Sequence, residues 1–178
     1  LTGLKMDLSL LRSELTQKTD AMGALVDTTV QDVRRLATEL RPGILDDLGL
    51  IPAIRWLANQ MSRDGSIDID VVVDGQPRNI DGETSNHLFR ICQEALNNVR
   101  RHADASRVDV HLAFDKDSIR MSIADNGRGF SFKKVSKSPH QNRLGLIGIQ
   151  ERARLINADL QIESKPDKGT ELKVELSL

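Results

Sequence analysis

The sequence contains little or none of several features on which whole classes of proteins depend. It has one cysteine, Cys92, so no internal disulfide can form, which fits a reducing compartment. It has no tyrosine, and only 3% of its 178 residues are aromatic, too few to build surfaces that stack nucleic-acid bases. No run approaches the roughly 18 apolar residues needed to cross a bilayer, so we expect no membrane contact by this chain.

The two signs of charge are nearly balanced, with 25 basic and 26 acidic side chains and a net charge of −1. This balance excludes a bulk electrostatic attraction to nucleic acid or anionic lipid, and we expect no direct nucleic-acid partner. The chain is 39% apolar and 29% charged, which is typical of a globular protein. Cys92 falls within the apolar pattern of a predicted helix, so we expect a buried structural thiol.

Residues 1–42 carry a narrow apolar seam that the rest of the chain lacks. Its members repeat at spacings of three and four in two runs, and they are Leu4, Leu8, Leu11, Leu15, Val26, Val30, Val33, Ala37 and Leu40. This period predicts two helices in an antiparallel hairpin, ended by Pro42 and Gly43. One hairpin leaves much of its seam uncovered, so we expect a homodimer through paired hairpins. The alternative is that the hairpin packs on its own domain.

Residues 43–178 form a second predicted domain with mixed helical and strand patterns. Residues 44–49 are predicted as a connector and residues 126–143 as a long loop. Three helices are predicted at 50–62, 81–101 and 146–156, and five strands at about 67–73, 108–114, 119–123, 160–162 and 172–176. Short turns between strands predict a largely antiparallel or mixed sheet. With long helices on one face, the predicted fold is α+β, a two-layer α/β sandwich preceded by the helical hairpin.

The predicted helix at 81–101 carries polar side chains that could serve chemistry. Glu94 and Asn98 are four residues apart, so they share one face, where their oxygens could hold a hard cation or orient a hydroxyl nucleophile. Arg101 and His102 follow at the end of the helix and could reach anionic oxygens. The alternative is a solvated polar stripe on an amphipathic helix.

Glycines accompany two further candidate positions. Asp125 ends a predicted strand before Gly127 and Gly129, so its carboxylate could accept a hydrogen bond from an exocyclic amino group. The alternative there is an ordinary hairpin turn. Gly145 and Gly148 open a predicted helix whose N-terminus could bind phosphate, and the alternative is a flexible helix start.

The order and spacing of these motifs together are more specific than each motif alone. The stretches ELRPGILDDLGL, FRICQEALNNVRRHA, DNGRGF and GLIGIQERA resemble sensor histidine kinases related to nitrate and lipid-fluidity sensors. That group belongs to a superfamily with gyrase, heat-shock chaperone and mismatch-repair ATPases, which share the Bergerat ATP-binding fold. The resemblance implies an ATP-binding catalytic core that transfers the γ-phosphoryl group to a histidine, for relay to a response regulator. It also implies a cytoplasmic location, either free or within a parent protein anchored in the inner membrane.

The resemblance implies roles for the residues on the long helix. Asn98 would coordinate Mg²⁺, with waters and phosphate oxygens completing the shell. Glu94 occupies the position of the acidic residue that assists catalysis or hydrates the metal in relatives. Arg101 and His102 would contact the phosphates of ATP.

The resemblance also implies how the base of ATP is bound. Asp125 would bind the adenine amino group, and Thr170, which follows Gly169 at the start of the last strand, would support it through a water. Gly127 and Gly129 would let the backbone approach the nucleotide.

The same resemblance predicts a lid over ATP at residues 131–144. Gly145 and Gly148 would be its hinge, and Leu146 between them is included among the ATP-binding positions. The family motif often has another glycine two positions before Gly145. Arg143 stands there, so the sequence departs from the pattern that closes the lid.

The phosphoacceptor of such kinases is a histidine followed by an acidic residue. None of the four histidines, His87, His102, His111 and His140, precedes an acid or lies in the hairpin. We therefore expect the acceptor to lie upstream in a longer parent, and this chain to bind Mg·ATP without phosphorylating itself. The alternatives are an anti-sigma-factor-type serine kinase acting as a protein-binding regulator, a catalytically inactive nucleotide sensor and a gyrase-like ATPase.

Overall fold

A computed structural model describes Thr19, Met22 and residues 43–63, 65–131 and 141–177. The chain divides between Pro42 and Gly43 into two units, and the description below concerns the second unit. The predicted helical hairpin with its dimer seam, and the tip of the predicted lid at 132–140, lie outside the described residues.

A five-stranded mixed sheet forms one layer of this unit. Its strands are β1 (Asp68–Gly75), β2 (Arg107–Phe114), β3 (Ser118–Asp125), β4 (Asp159–Ser164) and β5 (Thr170–Ser177). Their spatial order is β1-β2-β3-β5-β4, with β1 parallel to β2 and every other pair antiparallel. The parallel pair requires a crossover connection, which a long helix supplies. The predicted mixed sheet and α+β class are confirmed.

Helices form the second layer. They are α1 (Gly43–Leu48), α2 (Leu50–Met61), α3 (Gly82–Asn98) and α4 (Gln141–Leu155), and α3 continues into a π-helical turn at Val99–Ala103. Asp81 caps α3, because its side chain accepts a 2.8 Å hydrogen bond from the backbone N–H of Thr84. No helix in the described part of the chain is long and apolar enough to cross a membrane.

Two predicted boundaries are wrong, and the long helix ends in a geometry that the sequence did not predict. The predicted connector at 44–49 is largely the six-residue helix α1, whose period is too short to detect but which buries Leu45. The last helix begins at Gln141 rather than near residue 146, because its first turn is polar and gives no apolar repeat. The long helix predicted to run to residue 101 leaves α geometry at Asn98 and finishes as the π turn.

The core lies between the helices and one face of the sheet. Side chains alternate along each central strand, so Val110, Met121 and Val174 are buried, whereas neighbouring polar residues cover the opposite face. Cys92 is fully buried on α3, and burial raises the pKa of its thiol to about 12. The thiol is therefore structural, as predicted.

Candidate functional site

A cavity of about 240 Å³ lies between α3, α4 and strands β3, β5 and β4. Its walls are mainly apolar, formed by Ala95, Val99, Ala103, Ile123, Phe130, Leu146, Ile149, Ile162 and Leu172. A few polar side chains enter it at two separate places. Asp125 and Thr170 come from the strands, and Asn98, His102 and Arg128 come from the end of the long helix and the loop beside it. An apolar cavity with a few convergent polar groups is typical of a small-molecule site.

Asp125 is the last residue of β3 and pairs with Thr170, the first residue of β5. Its carboxylate is partly buried and accepts a 2.8 Å hydrogen bond from the backbone N–H of Gly127. Burial raises the pKa of Asp125, and hydrogen bonds from Gly127 and Thr170 oppose that rise. The result is a hydrogen-bond acceptor held in a fixed position on the cavity wall.

A hydroxyl pair supports this carboxylate from behind. Thr170 Oγ1 lies 3.0 Å from Ser164 Oγ, on the neighbouring strand β4. Ser164 Oγ also accepts from the backbone N–H of Phe130 at 2.8 Å and lies 3.0 Å from the carbonyl oxygen of Gly169. An ionised carboxylate only accepts, so the Thr170 hydroxyl donates to Asp125, while the single hydroxyl proton of Ser164 donates to the carbonyl oxygen of Gly169. Sequence reasoning missed Ser164, because it belongs to no motif and its partner Phe130 lies 34 residues away in the sequence.

The glycines beside Asp125 are required by the fold itself. A Cβ on Gly127 would overlap the carbonyl oxygen of Ala103, at the end of the π turn. Gly129 has φ +56°, and a Cβ there would overlap the carbonyl oxygen of Lys165. Gly129 lines the cavity and Gly127 does not, so close packing within the chain accounts for both glycines.

Glu94 and Asn98 meet the start of α4 at the other end of the cavity. A Cβ on Gly145 would overlap Glu94 Oε1 and would lie 3.2 Å from Asn98 Oδ1, so α4 packs directly on these two side chains. Within the described residues, the side chains of Glu94, Asn98 and His102 form no hydrogen bond or ion pair. These polar groups are therefore available to a ligand.

The chemistry of this donor set fits Mg²⁺ accompanied by phosphate. No group of three His, Cys, Asp or Glu that could hold a metal ion by itself occurs in the described ranges. Mg²⁺ characteristically keeps several waters and takes one or two protein oxygens together with substrate phosphates. The oxygens of Asn98 and Glu94 supply that number.

The π turn determines which residues of Val99–Ala103 reach the cavity. His102 lines it, whereas Arg101 is exposed and does not. Asp104 ends the turn in the left-handed region, with φ 51°. Arg128 fixes the end of the turn, since its backbone N–H donates to Ala103 O at 2.7 Å and its Nε donates to His102 O. π turns are rare and often occur at functional sites.

Six of the predicted site residues line the cavity, and they are Asn98, His102, Asp125, Gly129, Leu146 and Thr170. Glu94 and Gly145 contact each other beside it. Arg101, Gly127 and Gly148 lie outside its lining, and the carbonyl oxygen of Gly148 accepts a 3.0 Å hydrogen bond from Arg152. Sequence reasoning missed Arg128, although a basic residue between the two glycines of DNGRGF was a visible signal.

Comparison with known proteins gives a consistent set of relatives. The family model described as histidine kinase-, DNA gyrase B-, and HSP90-like ATPase matches residues 83–178. The oxygen sensor histidine kinase NreB of Staphylococcus carnosus is 32% identical over 167 residues, covering 94% of this chain and 47% of that protein. The sensor histidine kinase MctS of Rhizobium johnstonii is 38% identical over 143 residues, covering 80% of this chain and 31% of that protein. The chain thus spans about half the length of these relatives or less.

A solved structure shares the fold. The blue-light activated histidine kinase of Erythrobacter litoralis superposes with a TM-score of 0.58 at 20% identity, covering 72% of this chain and 42% of that one. At this identity the likeness concerns the fold alone. It agrees with the α+β sandwich described above.

Proposed function

Because this chain belongs to the family of histidine kinase-, DNA gyrase B- and HSP90-like ATPases, we propose that it is the ATP-binding catalytic core of a sensor histidine kinase. The observation that carries the proposal is the fixed Asp125 carboxylate on the wall of an otherwise apolar cavity. A flat adenine ring suits the apolar walls, and its exocyclic amino group donates to Asp125. Thr170 donates hydrogen bonds that hold this carboxylate in place.

The polar groups at the opposite end of the cavity bind the phosphates of ATP. His102 lines the cavity there, and Arg101 lies exposed one residue before it, where it meets the phosphate tail as that tail leaves the cavity. Asn98 Oδ1 would hold Mg²⁺, and Glu94 would orient a water molecule in the site or accept a proton from the attacking group. Mg²⁺, when bound, neutralises charge on the phosphate oxygens. Gly129 and Leu146 form part of the cavity wall, Gly127 allows the close packing behind it, and Gly145 and Gly148 serve as the hinge of the lid.

The nucleophile in this proposal is a histidine that the present sequence does not supply. No histidine of the chain is followed by the acidic residue that would act as its base. The chain therefore binds Mg·ATP without labelling itself, while its parent relays the phosphoryl group to a response regulator in the cytoplasm. Residues 1–42 form the dimerisation hairpin in this scheme. An acid-labile label on this chain after incubation with radiolabelled ATP would contradict it.

The first test is a calorimetric titration with ATP, with and without Mg²⁺, of the unaltered chain and of Asp125→Ala. We expect micromolar binding by the unaltered chain and binding about 10- to 100-fold weaker by the variant, because a hydrogen bond to a charged acceptor is lost. Asp117→Ala, in the exposed turn between β2 and β3, removes the same charge and is expected to bind normally. Equal affinity of all three proteins, or no binding by any, would contradict the proposal.

The alternative of an anti-sigma-factor-type serine kinase, acting as a protein-binding regulator, is not favoured. Relatives that bear the name of sensor histidine kinases match 94% and 80% of this chain, so the likeness extends well beyond the ATPase domain at 83–178.

A further inference from the structure

We propose that Arg128 is a phosphate-binding residue of this cavity, presented by an anchor on the backbone of the long helix. The inference rests on the proposed nucleotide-binding function and assigns a specific contact within it. Arg128 stands between the two glycines of DNGRGF, and neither the glycine spacing nor the sequence resemblance assigns it a role.

The anchor is the first observation. Arg128 Nε donates to the carbonyl oxygen of His102, and the Arg128 backbone N–H donates to Ala103 O at 2.7 Å. Its own carbonyl oxygen accepts from the backbone N–H of Asp167, also at 2.7 Å. Backbone and side chain are thus fixed on both sides, and the guanidinium is held against the carbonyl oxygen of His102, which lines the same cavity.

The second observation is what the guanidinium does not contact. Within the described part of the chain, no carboxylate pairs with Arg128, and its Nη atoms have no hydrogen-bond partner. The exposed arginines of the sheet differ, because Arg107 pairs with Asp109 at 2.7 Å and Arg120 pairs with Asp115 at 2.5 Å. Among the described residues, the guanidinium of Arg128 therefore has no carboxylate within ion-pair distance, although it lines the cavity.

The planar geometry of arginine makes these two observations compatible. Arg128 uses Nε on the helix carbonyl, which leaves two Nη groups in the same plane to donate to one anionic group. A guanidinium held in this way loses little further side-chain freedom on binding, and its bidentate fork matches phosphate oxygens. Lysine has a single ammonium group, which cannot hold the carbonyl of His102 and present a fork at once.

The test separates a phosphate contact from a structural role. The unaltered chain, Arg128→Ala, Arg128→Lys and Arg128→Gln are titrated with ATP, ADP and adenosine, and NMR chemical shifts give the affinities. Arg128→Gln keeps an amide donor near His102 O but removes the charge, so it covers the case in which the alanine variant does not fold. Arg120→Ala, on the outer face of the sheet, controls for the loss of one positive charge.

We expect Arg128→Ala and Arg128→Gln to bind ATP about 10- to 100-fold more weakly and adenosine unchanged, with Arg128→Lys intermediate for ATP. An equal loss for ATP and adenosine would overturn the inference, because it would assign Arg128 a structural role only. Unchanged ATP affinity in the folded variants would overturn it as well. Failure of the proposed function itself is distinguishable, since the unaltered chain would then not bind ATP or would bind it independently of Asp125.

Discussion

The two ends of the cavity are built in different ways. At the strand end, defined here by Asp125, Ser164 and Thr170, every polar side chain is bound to another side chain or to the backbone. At the helix end, defined by Glu94, Asn98 and His102, the side chains make no hydrogen bond or ion pair within the described residues. The strand end is therefore complete before any ligand arrives, whereas the helix end still has its hydrogen bonds to make.

This difference assigns separate tasks to the two ends. A preformed hydrogen-bond acceptor selects against a ligand that has no matching donor, because the acceptor would then be buried without a hydrogen bond. This kind of selection suits recognition of the base of a nucleotide. Polar groups without partners accommodate phosphates and metal ions, whose positions change during phosphoryl transfer. Substitutions of the polar side chains at the strand end should therefore change base recognition, and those at the helix end should change the response to phosphate and Mg²⁺.

The largest effect is expected for Gly169→Ala at the strand end. Gly169 has φ +71°, and a Cβ there would overlap the backbone oxygen of Asp125, which cannot move without disturbing the β3–β5 pairing. We expect the free energy of unfolding to fall by about 3 kcal/mol or more, with loss of ATP binding. Urea unfolding and calorimetry measure the two effects.

Gly65→Ala is the matched control for this prediction. Gly65 has the same φ of +71°, but no atom lies within 4 Å of its added Cβ. The substitution Gly65→Ala should therefore lower the free energy of unfolding only by the cost of a left-handed backbone conformation, about 1–2 kcal/mol. If the two variants lost equal stability, the contact between Gly169 and Asp125 would not matter and the strand end would be less tightly built than described.

Asp125→Asn is expected to separate ligand binding from stability. The amide keeps an acceptor for the N–H of Gly127 but loses the charge, so ATP binding should weaken about 10- to 100-fold. Burial raises the pKa of Asp125 above its ordinary value of 3.8, so ionisation of the buried carboxylate costs the folded state free energy. The asparagine variant should consequently be at least as stable as the unaltered chain at pH 7. A clear loss of stability would contradict this account.

The pH dependence follows from the same raised pKa. The free-energy cost of ionising Asp125 in the folded chain is fully present above its folded pKa and absent below 3.8. The unaltered chain should therefore gain stability relative to Asp125→Asn as the pH falls from the folded pKa to 3.8. ATP affinity should fall over the same window, because a protonated carboxyl loses an acceptor. Unfolding and binding of both proteins, measured between about pH 7 and about pH 3 so that the range extends below 3.8, give the two curves. Parallel curves for the two proteins would contradict the assignment.

The fold was largely predictable because its signals are local. Alternation along the strands and the apolar face of α3 follow directly from side-chain periods of 2 and 3.6. The six residues of α1 make less than two helical turns, which is too short for an apolar repeat to be recognised. The polar start of α4 contains no apolar repeat, so both boundaries were missed. A periodicity argument fails where an element is short or where packing, rather than pattern, selects it.

The site was predictable only in part because many of its contacts join residues far apart in sequence. Asp125 and Asn98 stand in recognisable motifs. The bond from Arg128 to His102 O spans 26 residues, and that from Phe130 to Ser164 spans 34. Gly127 was interpreted as a residue that lets a ligand approach, yet its close neighbour is Ala103. Only the assembled sheet brings these partners together.

A smaller effect is expected for Thr170→Val, which keeps the shape of the side chain and removes its hydroxyl. Asp125 then loses one donor, and Ser164 Oγ loses its neighbour at 3.0 Å. We expect ATP affinity to fall about fivefold, equivalent to the roughly 1 kcal/mol of a typical hydrogen bond, and the pKa of Asp125 to rise further. Calorimetry gives the affinity, and carboxyl NMR shifts give the pKa. Unchanged affinity would show that the backbone N–H groups of Gly127 and Thr170 are enough to hold the carboxylate.

The smallest effects are expected from a matched pair of substitutions at the helix end, Gly145→Ala and Gly148→Ala. Alanine favours a helix over glycine by up to about 1 kcal/mol. At Gly148 the new methyl group meets only the tip of the Arg152 side chain, at 2.9 Å, so we expect a net gain of stability and unchanged Mg·ATP binding. Urea unfolding and calorimetry with Mg²⁺ measure both quantities.

At Gly145 the same methyl group displaces the Glu94 carboxylate, which costs little because that side chain forms no hydrogen bond in the described residues. Stability should therefore change by less than about 0.5 kcal/mol, while Mg·ATP binding weakens a few-fold and binding of ATP without Mg²⁺ does not. If both variants bound Mg·ATP normally, Glu94 would not need its present position. The metal would then depend on Asn98 and the phosphates alone, and the helix end would be simpler than the comparison with the strand end implies.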